Sequence, residues 1–111
     1  MEQNQEKTST GLQANVAALL SYVLGFITGI VFFVIEKDNK FVRFHAMQSI
    51  VVSGSLFVAQ IVLRFVPFVG FALSSLLSLL GLALWIILMI KAYQGELFKL
   101  PVAGDIAEKN S

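Results

Sequence analysis

The chain has 111 residues, 57% of them hydrophobic and 14% charged, with a net charge of +1. Soluble domains carry roughly half apolar and a quarter charged residues, so a water-exposed globule of this length could not hide so much apolar surface. The near-neutral charge offers no basic footprint for nucleic acid, and the lack of cysteine excludes disulfides, thiol chemistry and thiolate metal sites.

Residues 1–11 form a polar lead too short and hydrophilic to pack, which predicts disorder. Residues 12–35 then run 24 positions without a charge. As a helix this run measures about 36 Å against a hydrocarbon core of about 30 Å, which predicts a first span. The residues before it are not positive and the apolar run is too long for a signal peptide, so cleavage is not expected. Gly11, Asn15, Ala18, Tyr22, Gly25 and Gly29 recur at spacings of four and three, one stripe where another helix comes close. Gly25-x-x-x-Gly29 is the small-xxx-small pattern that lets helix backbones approach within the membrane.

Residues 36–40, Glu-Lys-Asp-Asn-Lys, leave the membrane, and Asp38 or Asn39 is placed to cap a new helix. Past Lys40 the helical pattern resumes with Phe41, Phe44, His45 and Gln48 on one face and Arg43 to the side. Aromatic residues beside a cation predict an interfacial amphipathic turn, with Phe41 and Phe44 at headgroup depth and Arg43 facing phosphate. Residues 46–63 are uncharged and predict a second span, continuous with that turn as one helix of about 25 residues. Its polar stripe of Ser49, Ser53, Gln60 and Arg64 should turn inward, with Arg64 snorkelling at the far boundary. Pro67 and Gly70 then mark a tight hairpin.

Residues 69–90 are the third expected span, with Ser74, Ser78, Gly81 and Trp85 on one stripe. The fold class is therefore an all-α integral membrane protein: three transmembrane helices, with a short interfacial segment leading into the second. Residues 12–92 form a single helical domain, and residues 93–111 a short, loose cytoplasmic tail. Under three spans, Lys37, Lys40, Arg43, Lys91, Lys99 and Lys109 share one side against Lys7 and Arg64 on the other. The positive-inside rule then predicts an external N-terminus and a cytoplasmic C-terminus.

Candidate chemistry centres on the lone histidine, His45. Ser49 lies one turn away, but spacing places no carboxylate to orient the ring and no nucleophile turn is present, so no catalytic residue and no enzyme are expected. One histidine among scattered carboxylates predicts no metal site, and no nucleotide motif calls for a cofactor. His45 reads either as an interfacial residue bonded to Gln48 or a backbone carbonyl, or as a proton relay. Together, Phe41, Arg43, Phe44, His45, Gln48, Gln60 and Arg64 are the candidate functional or interfacial residues.

The run Phe41-Val42-Arg43-Phe44-His45-Ala46-x-Gln48-Ser49, with the later Lys91-Ala92-Tyr93-x-Gly95-x-x-Phe98-x-Leu100-Pro101, resembles small bacterial membrane proteins of the Tic-twenty-like family. That family is named after a component of the chloroplast inner-envelope translocon. Small-residue faces, no intramembrane charge and short soluble parts predict a structural or accessory subunit of a membrane complex, and the resemblance implies a bacterial cell membrane and a translocon-related role. Lipid and a protein partner or homo-oligomer are the expected partners. The alternative is an oligomeric channel or transporter for protons or a small solute, lined by the Ser, Gln and His stripe.

Overall fold

The structure, a computed structural model, describes residues 8–111. Five helices form, with no strand among the described residues: α1 Ala14–Val23, α2 Phe26–Ile35, α3 Lys40–Leu63, α4 Gly70–Tyr93 and α5 Ala103–Asn110.

The first expected span is not one helix. It breaks at Gly25, whose φ of 63° and ψ of −131° are accessible to glycine and strained for any other residue. Thr28 bridges the break: its hydroxyl accepts from the Leu24 N–H at 3.1 Å and donates to the Ser21 carbonyl at 3.1 Å. A side chain thus replaces ladder bonds that the kink removes. The two halves, of 10 residues each, measure about 15 Å, half the hydrocarbon thickness.

The halves also fold back on one another. Glu36, just past α2, is fully buried and its carboxylate accepts from the Ser9 N–H, the Thr10 N–H and the Thr10 hydroxyl. On one straight helix Thr10 and Glu36 would lie roughly 39 Å apart. Residues 12–35 therefore make a re-entrant hairpin that enters and leaves at the same end of the molecule. The predicted disorder of the lead partly concerns residues 1–7, which lie outside the described residues, whereas Ser9 and Thr10 are held by Glu36.

Only α3 and α4, of 24 residues each, are long and apolar enough to cross a membrane, so the count of full spans among the described residues is two rather than three. The Asn39 side chain caps α3 by accepting from the Val42 N–H at 3.0 Å. At the far end residues 64–69 turn tightly, and a Cβ at Gly70 would lie 2.3 Å from the Leu63 carbonyl oxygen. No apolar residue of α3 beyond Ser49 is fully buried, and most of those of α4 are exposed. A core helix of a soluble protein would be covered, and these helices need hydrocarbon around them.

The packed core lies at one end. Ala14, Ala17, Ala18 and Tyr22 of α1 meet Phe41 and Val42 of α3 and Leu88 and Ala92 of α4. Small residues set the close approach of the hairpin: a Cβ at Gly29 would stand 2.9 Å from the Ala46 carbonyl, and one at Gly25 would stand 2.9 Å from Ser53 Oγ. The stretch expected as a loose tail is part of this end. α5 packs on α3, the Asn15 amide donates to the Tyr93 carbonyl at 2.9 Å, and Arg43 Nε donates to the Ser111 carbonyl at 3.1 Å. Residues 8–13, 36–39 and 94–111 hence share one end, and residues 64–69 form the other. The hairpin brings residues 9 and 10 back beside Glu36, whereas three full spans would have set them at opposite ends.

Candidate functional site: a buried clamp above a re-entrant break

The most ordered polar chemistry is built by α1, α3 and the segment after α4. Tyr22, His45 and Gln48 are all fully or nearly fully buried. His45 Nε2 lies 2.7 Å from the Glu96 carbonyl oxygen, which can only accept, so the proton sits on Nε2. Nδ1 is then the acceptor for the Tyr22 hydroxyl at 2.7 Å. The Gln48 amide nitrogen donates to the same hydroxyl at 3.0 Å and to the Phe98 carbonyl at 2.9 Å, while its oxygen accepts from the Leu100 N–H at 3.0 Å. Donors and acceptors match along the whole chain of bonds, with the imidazole neutral.

This arrangement grips main chain. Gln48 offers the extended segment around Phe98 and Leu100 the donor and acceptor that a neighbouring strand would offer, and His45 holds Glu96 one step earlier. The edges of Tyr22, Phe41 and Phe44 surround the imidazole at centroid distances of 5.5, 4.8 and 5.2 Å. Phe41 and Phe44 are thus not headgroup anchors: both are buried, because the returning hairpin and the tail cover the face that three separate spans would have left at the interface. Arg43 likewise does not reach for phosphate. Its Nη1 donates to the Phe33 carbonyl at 2.9 Å and its guanidinium stacks 4.0 Å over the Phe33 ring, satisfying the last turn of α2.

A second group of bonds secures the break itself. Trp85 Nε1 donates to the Tyr22 carbonyl at 2.6 Å and Ser49 Oγ donates to the Gly25 carbonyl at 2.9 Å. Irregular backbone at membrane depth survives only where protein groups satisfy it, and these side chains, with Thr28, supply that. Gln60 and Arg64, the other two candidates, are not brought to the clamp. Gln60 donates to Ser78 Oγ at 2.9 Å and accepts from the Ser74 hydroxyl, joining α3 to α4, while Arg64 is exposed at the far turn.

Sequence reasoning missed three contributors. Tyr22 was visible as the one hydroxyl-bearing ring on the small-residue stripe, and Trp85 as a lone indole in mid-span. Glu36 gave no signal, since its burial depends on the hairpin returning to residues 9 and 10. Among the described residues no three His, Asp or Glu side chains come together as a metal site would require.

Fold and site define a small helical membrane protein with one half-depth hairpin and two full-length helices. The chain belongs to the MamF/MmsF family, described as magnetosome magnetite crystal formation proteins, which matches residues 5–107. It is 54% identical over 105 residues to a UPF0132 membrane protein of Methanocaldococcus jannaschii, covering 95% of this chain and 94% of that protein. A UPF0132 membrane protein of Archaeoglobus fulgidus is 47% identical over 98 residues, or 88% and 95% of the two chains. No solved structure matches. The family assignment overturns the Tic-twenty-like resemblance: the motifs around His45 and Gly95 belong here to a different family, and the translocon link falls with it. Both relatives come from archaea, so the expected bacterial cell membrane reduces to membrane location.

Proposed function

We propose that this protein is a non-enzymatic accessory or scaffold protein of a membrane, presenting a clamped tail and loop surface on the cytoplasmic side. The observation that carries the reading is the clamp: the lone histidine spends both ring nitrogens on structure, and Gln48 spends its amide on the tail backbone. A proton relay or nucleophilic base needs a ring nitrogen facing a substrate. Two crossing helices sealed by Gln60, Ser74 and Ser78 favour no pore within one copy.

Orientation follows from charge. Six of the seven cations in residues 8–111 lie at the end that holds the hairpin mouth and tail, with Arg64 alone at the other. By the positive-inside rule that end, with residues 8–13 and the tail, faces the cytoplasm. The family's description concerns magnetite formation, but Glu96 and Glu108 are paired with Lys91 and Lys99, and Glu36 with Ser9 and Thr10. Membrane placement and a structural role are what we carry from the family to this chain.

Reconstitution in liposomes tests the reading. We expect proton and small-ion flux no faster than in empty vesicles, and a photo-crosslinker at exposed Ile106 to capture one stoichiometric membrane protein from native membranes. Flux that disappears in Gln60→Leu would replace the scaffold with the channel.

A further inference from the structure

Because the hairpin stops halfway, the seam between α3 and α4 is uncovered in the opposite half of the molecule. Directly under Tyr22 lies a cavity of about 390 Å³, walled by Ser53, Leu56 and Gln60 of α3 and by Gly81, Leu82 and Trp85 of α4. Its size falls in the range of about 300–1,000 Å³ typical of ligand sites. Further along the same seam is a second hollow of about 370 Å³, between Leu63, Arg64, Phe71 and Ser74. Gln60, bonded to Ser74 and Ser78, sits between the two. On α3 the residues 49, 53, 56, 60 and 64 form one helical stripe, so Arg64 stands one turn beyond Gln60 on the seam face.

Charge names the occupant. No Asp or Glu occurs from residue 39 to residue 95, so Arg64 has no carboxylate of its own chain at this end. It makes no ion pair among the described residues, whereas Lys91 and Lys99 do. A second copy in the same membrane orientation would bring another Arg64 and again no counter-charge. A lipid phosphate supplies one, and exposed Phe65, Phe68 and Phe71 place Arg64 at headgroup depth. The upper cavity has no charged lining residue and is walled largely by apolar side chains, which suits the acyl chain of a lipid.

We propose that the α3–α4 seam holds one anionic phospholipid from the leaflet opposite the hairpin, its phosphate at Arg64 and one acyl chain laid past Gln60 into the cavity beneath Tyr22. The lipid completes the half of the bundle that the re-entrant hairpin leaves open.

Trp85, the single tryptophan, lines the cavity and reports on it directly. The full chain is placed in phosphatidylcholine nanodiscs containing a small fraction of lipid brominated on its acyl chains, either phosphatidylglycerol or phosphatidylcholine. Trp85 should be quenched preferentially by the anionic lipid, with an apparent affinity about fivefold higher, the factor one cation near an anionic surface is worth. Arg64→Gln should bring the two lipids to parity and Arg64→Lys should retain the preference. Gly81→Leu, whose side chain would enter the cavity beside Leu56, should remove most quenching by either lipid while circular dichroism stays unchanged. Equal quenching by both lipids in the wild type, or a preference that survives Arg64→Gln, overturns the proposal. So does disulfide formation between copies through Ser53→Cys accompanied by loss of quenching, which would put a second copy in the seam.

Discussion

The two ends of this molecule obey different rules. At the clamp end four helices and the tail meet, and Tyr22, Glu36, Phe41, His45 and Gln48 are all 2% exposed or less. At the turn end only α3 and α4 remain, and Phe65, Phe68 and Phe71 are 82%, 98% and 85% exposed. Polar groups hold the first end together because each is matched to a partner away from lipid; the second is left to hydrocarbon and a few interhelical bonds. Specific structure is concentrated where backbone departs from a helix, since unsatisfied peptide groups cannot be left in lipid.

If that contrast is right, substitutions should divide by end. The largest effect is expected from Gln48→Leu, which orphans the Phe98 carbonyl and the Leu100 N–H and strips a donor from Tyr22. At about 1–3 kcal/mol for each unsatisfied buried group, the loss should be about 3 kcal/mol or more. Limited proteolysis would then cut residues 96–104 rapidly, while the α3–α4 hairpin stays intact; a tail equally protected in the variant would break the clamp assignment. Gly25→Ala comes next, forcing a Cβ toward Ser53 at a backbone angle that costs about 1–3 kcal/mol, readable as a lowered thermal midpoint in detergent.

Trp85→Phe should cost less, about 1 kcal/mol for its bond to the Tyr22 carbonyl. Smallest of all, Phe68→Ser at the turn end should change stability by under about 0.5 kcal/mol, as expected of a surface position outside any network. A Phe68 effect as large as that of Gly25 would erase the contrast between the ends.

Topology sharpens the comparison without a stability measurement. In this cysteine-free chain, single cysteines at Thr8, Asp38 and Asn110 should label from one side and Val66 from the other. Three spans would instead put Thr8 and Val66 on the same side.

Much of the two long helices was legible beforehand. The expected span 69–90 corresponds to α4 at Gly70–Tyr93, and the expected helix through 46–63 with its leading turn corresponds to α3 at Lys40–Leu63. The reason is local: uncharged runs of that length have few alternatives in a bilayer. The first run has the same length and composition, yet it became two half-helices. Gly25 and Thr28 permit a break there, but permission is not instruction, because glycine and threonine occur within straight membrane helices as well.

The sequence by itself determined that the protein is helical and lives in a membrane, roughly where its two long helices end, and which residues are small enough to pack. It also singled out His45 and Gln48 as polar groups needing shelter. Only the tertiary structure decided that residues 12–35 turn back, that residues 9 and 10 meet Glu36 while the tail packs on α3, and that Phe41, Phe44 and Arg43 face protein rather than lipid. Those outcomes rest on pairings such as Glu36 with Thr10 and Gln48 with Leu100, separated by 26 and 52 positions. Helical periodicity records what neighbours within a few turns prefer, and it carries no signal for partners that far apart.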